Sequence, residues 1–448
     1  MILINQYLRS LYFSRRFYAV FVALIVMFLL AYLVPALFLM VKILLLVFVL
    51  LLVADYVLLY ARKELVKAER IMEERFSNGD TNFIEIEITN QGHFNLQVQL
   101  IDELPVQFQV RDFMLSSQLG PVETKRIQYT LRPVQRGEYT FYDINCFVRS
   151  WLGLVVRRII MSAHKTVKVY PSFQALRQYE ILAISNNLTD AGNRKLRKIG
   201  RSLEFEQIKE YVRGDDIRNI NWKATARRAG QLMVNSFMDE RSQQVYCIID
   251  KGRVMKMPFN GMTLHDHAIN ASLVLSHVTM VRQDRTGLIS FSNDVGIFIP
   301  AERKGGQMNA ILEALYNEKT HYLETDYEKL FALVRVRITQ RSLLVLFTNF
   351  ESMGSLQRQL PYLRMMAKKH LLLVVFFENP GLKKITETPA GDLEEVYIKT
   401  IAQKFSYEKR RMIKELQQHG IMALLTAPEI LTIDTVNKYL ELKSRQAL

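Results

Sequence analysis

The sequence predicts a membrane-anchored multidomain chain: a transmembrane helical hairpin, a β-sandwich, then a doubly wound α/β domain. Three observations carry this. Residues 17–60 hold only two charges, Lys42 and Asp55. The next hundred or so residues are short alternating segments separated by turn residues. Beyond residue 240, continuous apolar runs alternate with amphipathic ones. A chain of 448 residues is too long for one ordinary domain. The expected divisions are 1–75 for the hairpin and a connector, 76–171 for the sandwich, 172–240 for a linker and signature segment, and 241–448 for the α/β domain.

One membrane span needs about 20 apolar residues, so residues 17–60 have room for two and a tight turn. Pro35 lies where the reversal falls, which places the spans at 17–34 and 43–60, with Lys42 reaching for the far interface. The run is too long for a signal peptide and lacks a small-residue cleavage site. Arg9, Arg15 and Arg16 precede it, and Arg62, Lys63, Lys67 and Arg70 follow. Basic flanks stay on the cytoplasmic side, so both termini and the remaining chain are expected there. Asp55 is expected near the inner interface, paired with a neighbouring cation. Two cysteines, Cys146 and Cys247, make neither a disulfide framework nor a metal site, and a reducing compartment suits them.

Residues 62–75 read as a helical, charged connector. NFIEIEITN then alternates over residues 83–88, Asn90-Gln91-Gly92 turns, and NLQVQLIDELP alternates again. RIQYTLRPVQRGEYTF, INCFVRSWLGLVVRR and TVKVYP add further short strands, a spacing that argues a sandwich. Trp151 is expected as a core or interdomain plug. Residues 172–204 form a polar linker whose NRKLRKIGR stretch reads as a solvated charge run.

After residue 243, QVYCIID, SLLVLFTNF, LLLVVFFEN and IMALLTAP read as buried strands, and TGLISFS with VGIFIP as a strand pair. HAINASLVLSHVTMV, QMNAILEALYN, LQRQLPYLRMMAKKH, FSYEKRRMIKELQQHG and TVNKYLELKS read as helices, which implies a largely parallel, doubly wound sheet. Ligands on such sheets bind outside the carboxyl ends of the strands, placed here at Asp250, Gly305-Gly306 and Thr348-Asn349.

The densest chemistry lies in residues 213–228, RGDDIRNINWKATARR, with two acids, five basic residues and a tryptophan. Gly214 suits a turn, and Asp215 or Asp216 can cap a helix start. Ile217, Ile220 and Ala224 fall at helical spacing, while Arg218, Lys223 and Arg227 project elsewhere. This run, preceded by EFEQIKEYV, resembles the signature of the domain-of-unknown-function 58 family. The match is tight from Phe205 to Arg228 and looser over the rest of the chain. The pieces RPVQRGEYTF, SWLGLVVRR and VKVYP are similar to an immunoglobulin-like region that precedes that signature. The resemblance implies a bacterial cytoplasmic-membrane protein with a von Willebrand A-like domain. The partner it implies is a MoxR-type AAA+ ATPase or another von Willebrand A-like protein.

A von Willebrand A-like domain holds a divalent cation with Asp-x-Ser-x-Ser in its first loop, a threonine after a glycine turn and a later aspartate. Here the first loop is Asp250-Lys251-Gly252-Arg253-Val254, Gly305-Gly306-Gln307 lacks the threonine, and Asn349 replaces the aspartate. Only Asp250 remains, with Lys251 or Arg253 expected to neutralise it, so no metal or other cofactor is expected. His265-Asp266-His267 cannot aim both rings at one ion from one helix, and reads as a helix start with Asp266 at the positive end. No Gly-x-Ser-x-Gly, His-Glu-x-x-His or P-loop occurs.

The reading is therefore a non-enzymatic, membrane-tethered adaptor. The alternative is a hydrolase-like enzyme acting on protein or envelope material, which a pocket joining Asp250 with His265 or His267 would favour. The net charge of +15 allows a nucleic-acid partner, but basic hairpin flanks account for part of it and no nucleic-acid module is present, so none is expected. The signature residues Arg213, Gly214, Asp215, Asp216, Arg218, Asn221, Trp222, Lys223 and Arg227 are either a partner-binding surface or an interdomain brace. Burial separates the two.

Overall fold

The computed structural model describes residues 10–445 apart from 112, 174–175, 177–202, 213–216, 228–230, 240–241 and 390. The chain divides into two compact units, Met1–Tyr170 and Pro171–Leu448.

The first unit opens on strand β1 (Leu11–Phe13) and helices α1 (Arg15–Leu33) and α2 (Phe38–Tyr60), joined by a short 3-10 turn that starts at Pro35. Both helices are long and apolar enough to cross a membrane. They start earlier than expected from charge alone. Ser14 caps α1 by accepting from the Phe17 amide, and Lys42 lies inside α2 with its ammonium over the Phe38 ring.

The connector is not helical. Residues 66–72 form strand β2 (Val66–Met72), with Val66, Ala68 and Arg70 buried in alternation. The reason is tertiary. Buried Arg70 ion-pairs with Asp102, which also accepts from Tyr129, and donates to the Ala163 and Tyr142 carbonyls at 2.7 and 2.9 Å. These partners lie far along the chain and outweigh the helical charge pattern.

Strands β3 (Arg75–Ser77), β4 (Asn82–Asn90), β5 (Leu96–Asp102), β6 (Leu115–Leu119), β7 (Thr124–Leu131), β8 (Gly137–Phe141), β9 (Ile144–Arg149), β10 (Val155–Met161) and β11 (Lys165–Tyr170) complete the unit. One sheet runs β1-β10-β9-β5-β6, and two three-stranded sheets, β2-β4-β7 and β3-β11-β8, supply the other side of a common core. In β4 burial alternates through 83–88 as read, with Ile84, Ile86 and Ile88 inward and Phe83 exposed. Trp151 is not a core plug: it is 66% exposed, on the loop between β9 and β10.

Asp55 is fully buried, and among the described residues its partners are amides and a hydroxyl, not the expected cation. Its carboxylate accepts from the Leu154 and Val155 amides, both at 2.8 Å, and from the Ser150 hydroxyl. Arg157 then donates to the Leu59, Arg62 and Lys63 carbonyls, satisfying acceptors at the end of α2. The hairpin is thus bonded into the sandwich instead of hanging from it.

In the second unit an antiparallel ribbon, β12 (Leu203–Glu210) with β13 (Met233–Asp239), encloses the short helix α3 (Trp222–Arg227). There follow β14 (Gln244–Asp250), the small ladder β15 (Pro258–Phe259) and β16 (Met262–Thr263), α4 (Leu264–Val281), β17 (Arg285–Phe291), β18 (Val295–Glu302), α5 (Gln307–Asn317) and α6 (Tyr327–Arg337). Then come β19 (Leu343–Phe347), α7 (Met353–Ala367), β20 (Leu371–Phe377), α8 (Pro380–Glu387), α9 (Leu393–Gln418), β21 (Met422–Thr426) and α10 (Leu431–Ser444). The sheet order is β18-β17-β14-β19-β20-β21, parallel except for the edge strand β18.

Alternate residues of β14 face opposite cores. Val245, Cys247 and Ile249 pack with α4, α5 and α10, while Tyr246 and Ile248 pack with α6, α7 and α9. Helices on both faces explain why these strands read as unbroken apolar runs. The order reverses between β14 and β19, which makes the carboxyl edge of those two strands the crevice of the fold.

Candidate functional site

Two regions carry chemistry. The first is that crevice. Asp250 ends β14 fully buried, and each carboxylate oxygen has two donors. Gly252 N and the Thr325 hydroxyl approach Oδ1 at 2.7 and 2.8 Å, and the Thr348 and Tyr327 hydroxyls approach Oδ2 at 2.6 and 3.4 Å. Burial raises the Asp250 pKa above the ordinary carboxylate value, and the four donors oppose that rise. Burial beside Asp250 drives the Tyr327 phenol well above its usual range.

Neither expected cation neutralises Asp250. Lys251 pairs with Glu318 at 2.7 Å, and Arg253 is exposed. Gly305-Gly306 is also misplaced in the sequence reading. It follows the antiparallel strand β18, whose end, Glu302, pairs with Thr286 at the start of β17. That puts the glycines on the opposite edge of the sheet, where Gln307 donates to the Thr286 carbonyl at 2.8 Å. The threonine beside Asp250 comes instead from the segment before α6. Thr325, Tyr327 and the role of Thr348 were not singled out from sequence, because none has a motif around it.

Beside this cluster, Thr348-Asn349 leads into a cavity of about 220 Å3. It is lined mainly by apolar side chains such as Phe350, Phe377 and Phe405, with Asn349 and Lys409 among the polar ones. The Lys409 ammonium donates to Asn349 Oδ1 at 2.5 Å and to the Phe350 carbonyl at 2.7 Å, and lies over the Phe376 ring. Burial pulls its pKa down to about 8. Lys409 sits on α9 and no sequence pattern marks it.

This donor set does not fit a hard divalent cation. Both Asp250 oxygens are committed, Asn349 Oδ1 already accepts from an ammonium, and no cluster of three or more acidic, histidine or cysteine side chains forms among the described residues. Asp250, His265 and His267 do not line the cavity. His265 and Asp266 lie in the first turn of α4, where Thr263 caps the helix by accepting from the Asp266 amide. Helix α9 also exposes an apolar stripe at fourfold spacing, Leu393, Tyr397, Ile401 and Phe405, and the last of these lines the cavity.

The second region is the signature. Arg213, Gly214, Asp215 and Asp216 lie outside the described residues, as does the side chain of Arg218. The segment is not one continuous helix. Residues 217–219 form a 3-10 turn, Ile220 bridges to Val234, and the α-helix starts only at Trp222.

Asn221 explains the break. Its amide N–H donates to the Met233 carbonyl at 2.8 Å, its Oδ1 accepts from Ala224 N at 3.0 Å as a helix cap, and its Nδ2 donates to Asn235 Oδ1 at 2.9 Å. Thr225 closes the brace by accepting from Met233 N at 3.0 Å. Asn221 and Thr225 hold α3 to β13, and three signature side chains of α3 face outward. Trp222 is 69% exposed, and Lys223 and Arg227 are exposed with it. Val212, Ile217 and Leu232 extend the same ribbon with exposed apolar area.

Comparison with known proteins agrees with the signature. Residues 207–390 match the family model described as protein of unknown function DUF58. The uncharacterised protein YeaD of Bacillus subtilis is 23% identical over 251 residues, which are 55% of this chain and 60% of that protein. The chain therefore spans about three-fifths of the curated relative it matches. Among solved structures, BatB from Bacteroides thetaiotaomicron has a TM-score of 0.31 at 11% identity, covering 46% of this chain and 100% of its own. The CARDB domain of the PF1109 protein from Pyrococcus furiosus, in complex with di-metal ions, has a TM-score of 0.17 at 18% identity, covering 23% of this chain and 91% of its own. The signature and the family model together place a DUF58 match on residues 207–390 of this chain, which supports a DUF58 family protein.

Proposed function

We propose that this protein is a non-enzymatic adaptor, tethered to the bacterial cytoplasmic membrane by α1 and α2, that offers its cytoplasmic second unit to a partner. The partner is a MoxR-type AAA+ ATPase or a protein with a von Willebrand A-like domain. One observation carries the reading: Trp222 is held outward at 69% exposure by a helix pinned from behind. An exposed tryptophan flanked by Lys223 and Arg227 on a rigid mount has the composition of an interface hot spot. Such a residue costs less to bury against a partner than one on a mobile loop, because its ordering precedes binding.

The test is affinity purification of the intact protein from membranes in mild detergent, with ATP and with a non-hydrolysable analogue. Trp222→Ala, Lys223→Glu and Arg227→Glu should each lower partner recovery while thermal unfolding stays unchanged. Normal recovery by all three would remove the surface role.

A second reading, an enzyme acting on protein or envelope material, has one observation in its favour: Lys409, with its lowered pKa, lines the cavity at the carboxyl edge of the sheet. Hydrolysis of casein or peptidoglycan by the purified protein, abolished by Lys409→Met, would favour it.

A further inference from the structure

We propose that the β9–β10 loop, residues 150–154, together with β1 and the first turn of α1, forms a lipid-contacting edge that seats the β-sandwich on the membrane, with Trp151 inserted at the headgroup boundary. The proposal rests on the reading of α1 and α2 as a membrane-spanning hairpin. It adds that the folded domain itself binds lipid at a fixed height.

The height follows from hydrogen bonds. The Leu154 carbonyl accepts from Ser14 N at 3.0 Å and the Gly153 carbonyl from the Ser14 hydroxyl at 2.5 Å, at the start of α1. Asp55, near the end of α2, takes the Leu154 and Val155 amides from the same loop. The loop is therefore clamped to both helices at one level. From Asp55 back to Phe38 a helix rising 1.5 Å per residue covers roughly 25 Å. A hydrocarbon core is about 30 Å thick, so the apolar layer reaches at least to the clamped loop. Leu154 confirms the depth by joining Leu24 and Phe48 of the two helices in one apolar cluster. Gly153 permits the turn: its φ is +65°, and an added Cβ would meet Arg16 Nη1 at 3.3 Å.

The side chains at this level are those a headgroup boundary favours. Trp151 is 66% exposed and Tyr18 56%; Tyr12, Phe13 and Tyr56 are also exposed, with Arg15 and Arg16 among them. Tryptophan and tyrosine place an apolar ring in the acyl region and a polar tip at the headgroups, and flanking arginines meet lipid phosphates. In water these rings would form an exposed apolar patch beside a sandwich whose core aromatics, such as Tyr139 and Phe141, are buried.

The experiment uses the full chain carrying Trp222→Phe, so that Trp151 is its single tryptophan, in vesicles of phosphatidylethanolamine and phosphatidylglycerol. Lipids bear a nitroxide quencher either near the headgroup or near the chain end. A Leu46→Cys variant with an environment-sensitive fluorophore reports on α2 independently. Trp151 emission should be blue-shifted, shielded from iodide, and reduced at least about twofold more by the shallow quencher than by the deep one. If the Leu46 probe reads lipid while Trp151 is quenched by iodide and not by nitroxide lipid, the seated-edge proposal is overturned and the hairpin stands. If neither reads lipid, both are overturned.

Discussion

The carboxylate of Asp55 accepts from the backbone amide of Leu154 at 2.8 Å, joining the last turns of an apolar helix to a loop 99 residues away. An acidic side chain in a long apolar helix thereby holds a β-domain in place. Val155 and Ser150 share the same carboxylate, so its removal leaves three donors unmatched in a buried site.

Asp55→Ala should therefore destabilise the first unit by at least about 3 kcal/mol, since each unmade buried hydrogen bond costs about 1–3 kcal/mol. Cys146 reports the loss. It is buried, and burial pushes its thiol up to about 12, so the native protein resists alkylation at neutral pH. The variant should label at Cys146 much faster than the parent in detergent, and Asp55→Asn should fall between them.

The Arg70–Asp102 pair and the Arg126–Glu87 pair offer an internal contrast. The first is buried on both sides, and the second is largely exposed at Arg126. Asp102→Ala strands a buried guanidinium and the Tyr129 hydroxyl and should cost about 3–5 kcal/mol by denaturant unfolding. Arg126→Ala should leave the midpoint where it is, because solvent and salt screen that pair. Equal effects from the two substitutions would contradict the burial argument.

Gly252 tests the cluster around Asp250. A Cβ at this position would fall 1.9 Å from the Thr325 hydroxyl and 2.9 Å from Asp250 Oδ1. Gly252→Ala must displace Thr325 and should destabilise by about 1–3 kcal/mol, the usual range for overpacking. Adding Thr325→Ala removes the clash, so the double variant should be more stable than the sum of the single ones. Strict additivity would mean that the two residues do not touch.

Lys409 predicts a pH dependence. Its pKa is about 8 in the folded protein, against an ordinary value of 10.5. Between those two values the unfolded chain binds the extra proton, so stability rises with pH over that window. Below about 8 both states are protonated and the burial penalty is fully felt. Lys409→Met should flatten the rise between about pH 8 and pH 10.5 in urea-unfolding midpoints. At pH 7 the gain from deleting a buried charge is offset by leaving the Asn349 and Phe350 oxygens without a donor. The slope is thus the diagnostic quantity. A slope unchanged by the substitution would show that Lys409 titrates normally.

The features legible from sequence were those written in consecutive residues. Apolar length gives the hairpin, Pro35 its turn, and Ile84, Ile86 and Ile88 their inward face. The buried strands and amphipathic helices of the second unit are local patterns too. Helices α6 and α8 escaped that reading; α8 is short and its apolar residues are few.

What residues 62–75 do was not legible, because Arg70 becomes a strand residue only once Asp102 is opposite it. The same holds for Trp151, whose exposure depends on where the β9–β10 loop is clamped.

The sequence by itself determined the period and the polarity of each segment, and with them the hairpin, the sandwich strands, the doubly wound sheet and the family signature. Only the tertiary structure decided which polar groups meet. It drew Thr325 and Thr348 to Asp250, brought Lys409 to Asn349, and turned Trp222 outward by tying Asn221 to Asn235. The physical reason is range. Periodicity is set by neighbours a few residues apart, whereas a buried polar atom must find a partner wherever the fold places one, and those partners are separated by tens of residues of chain.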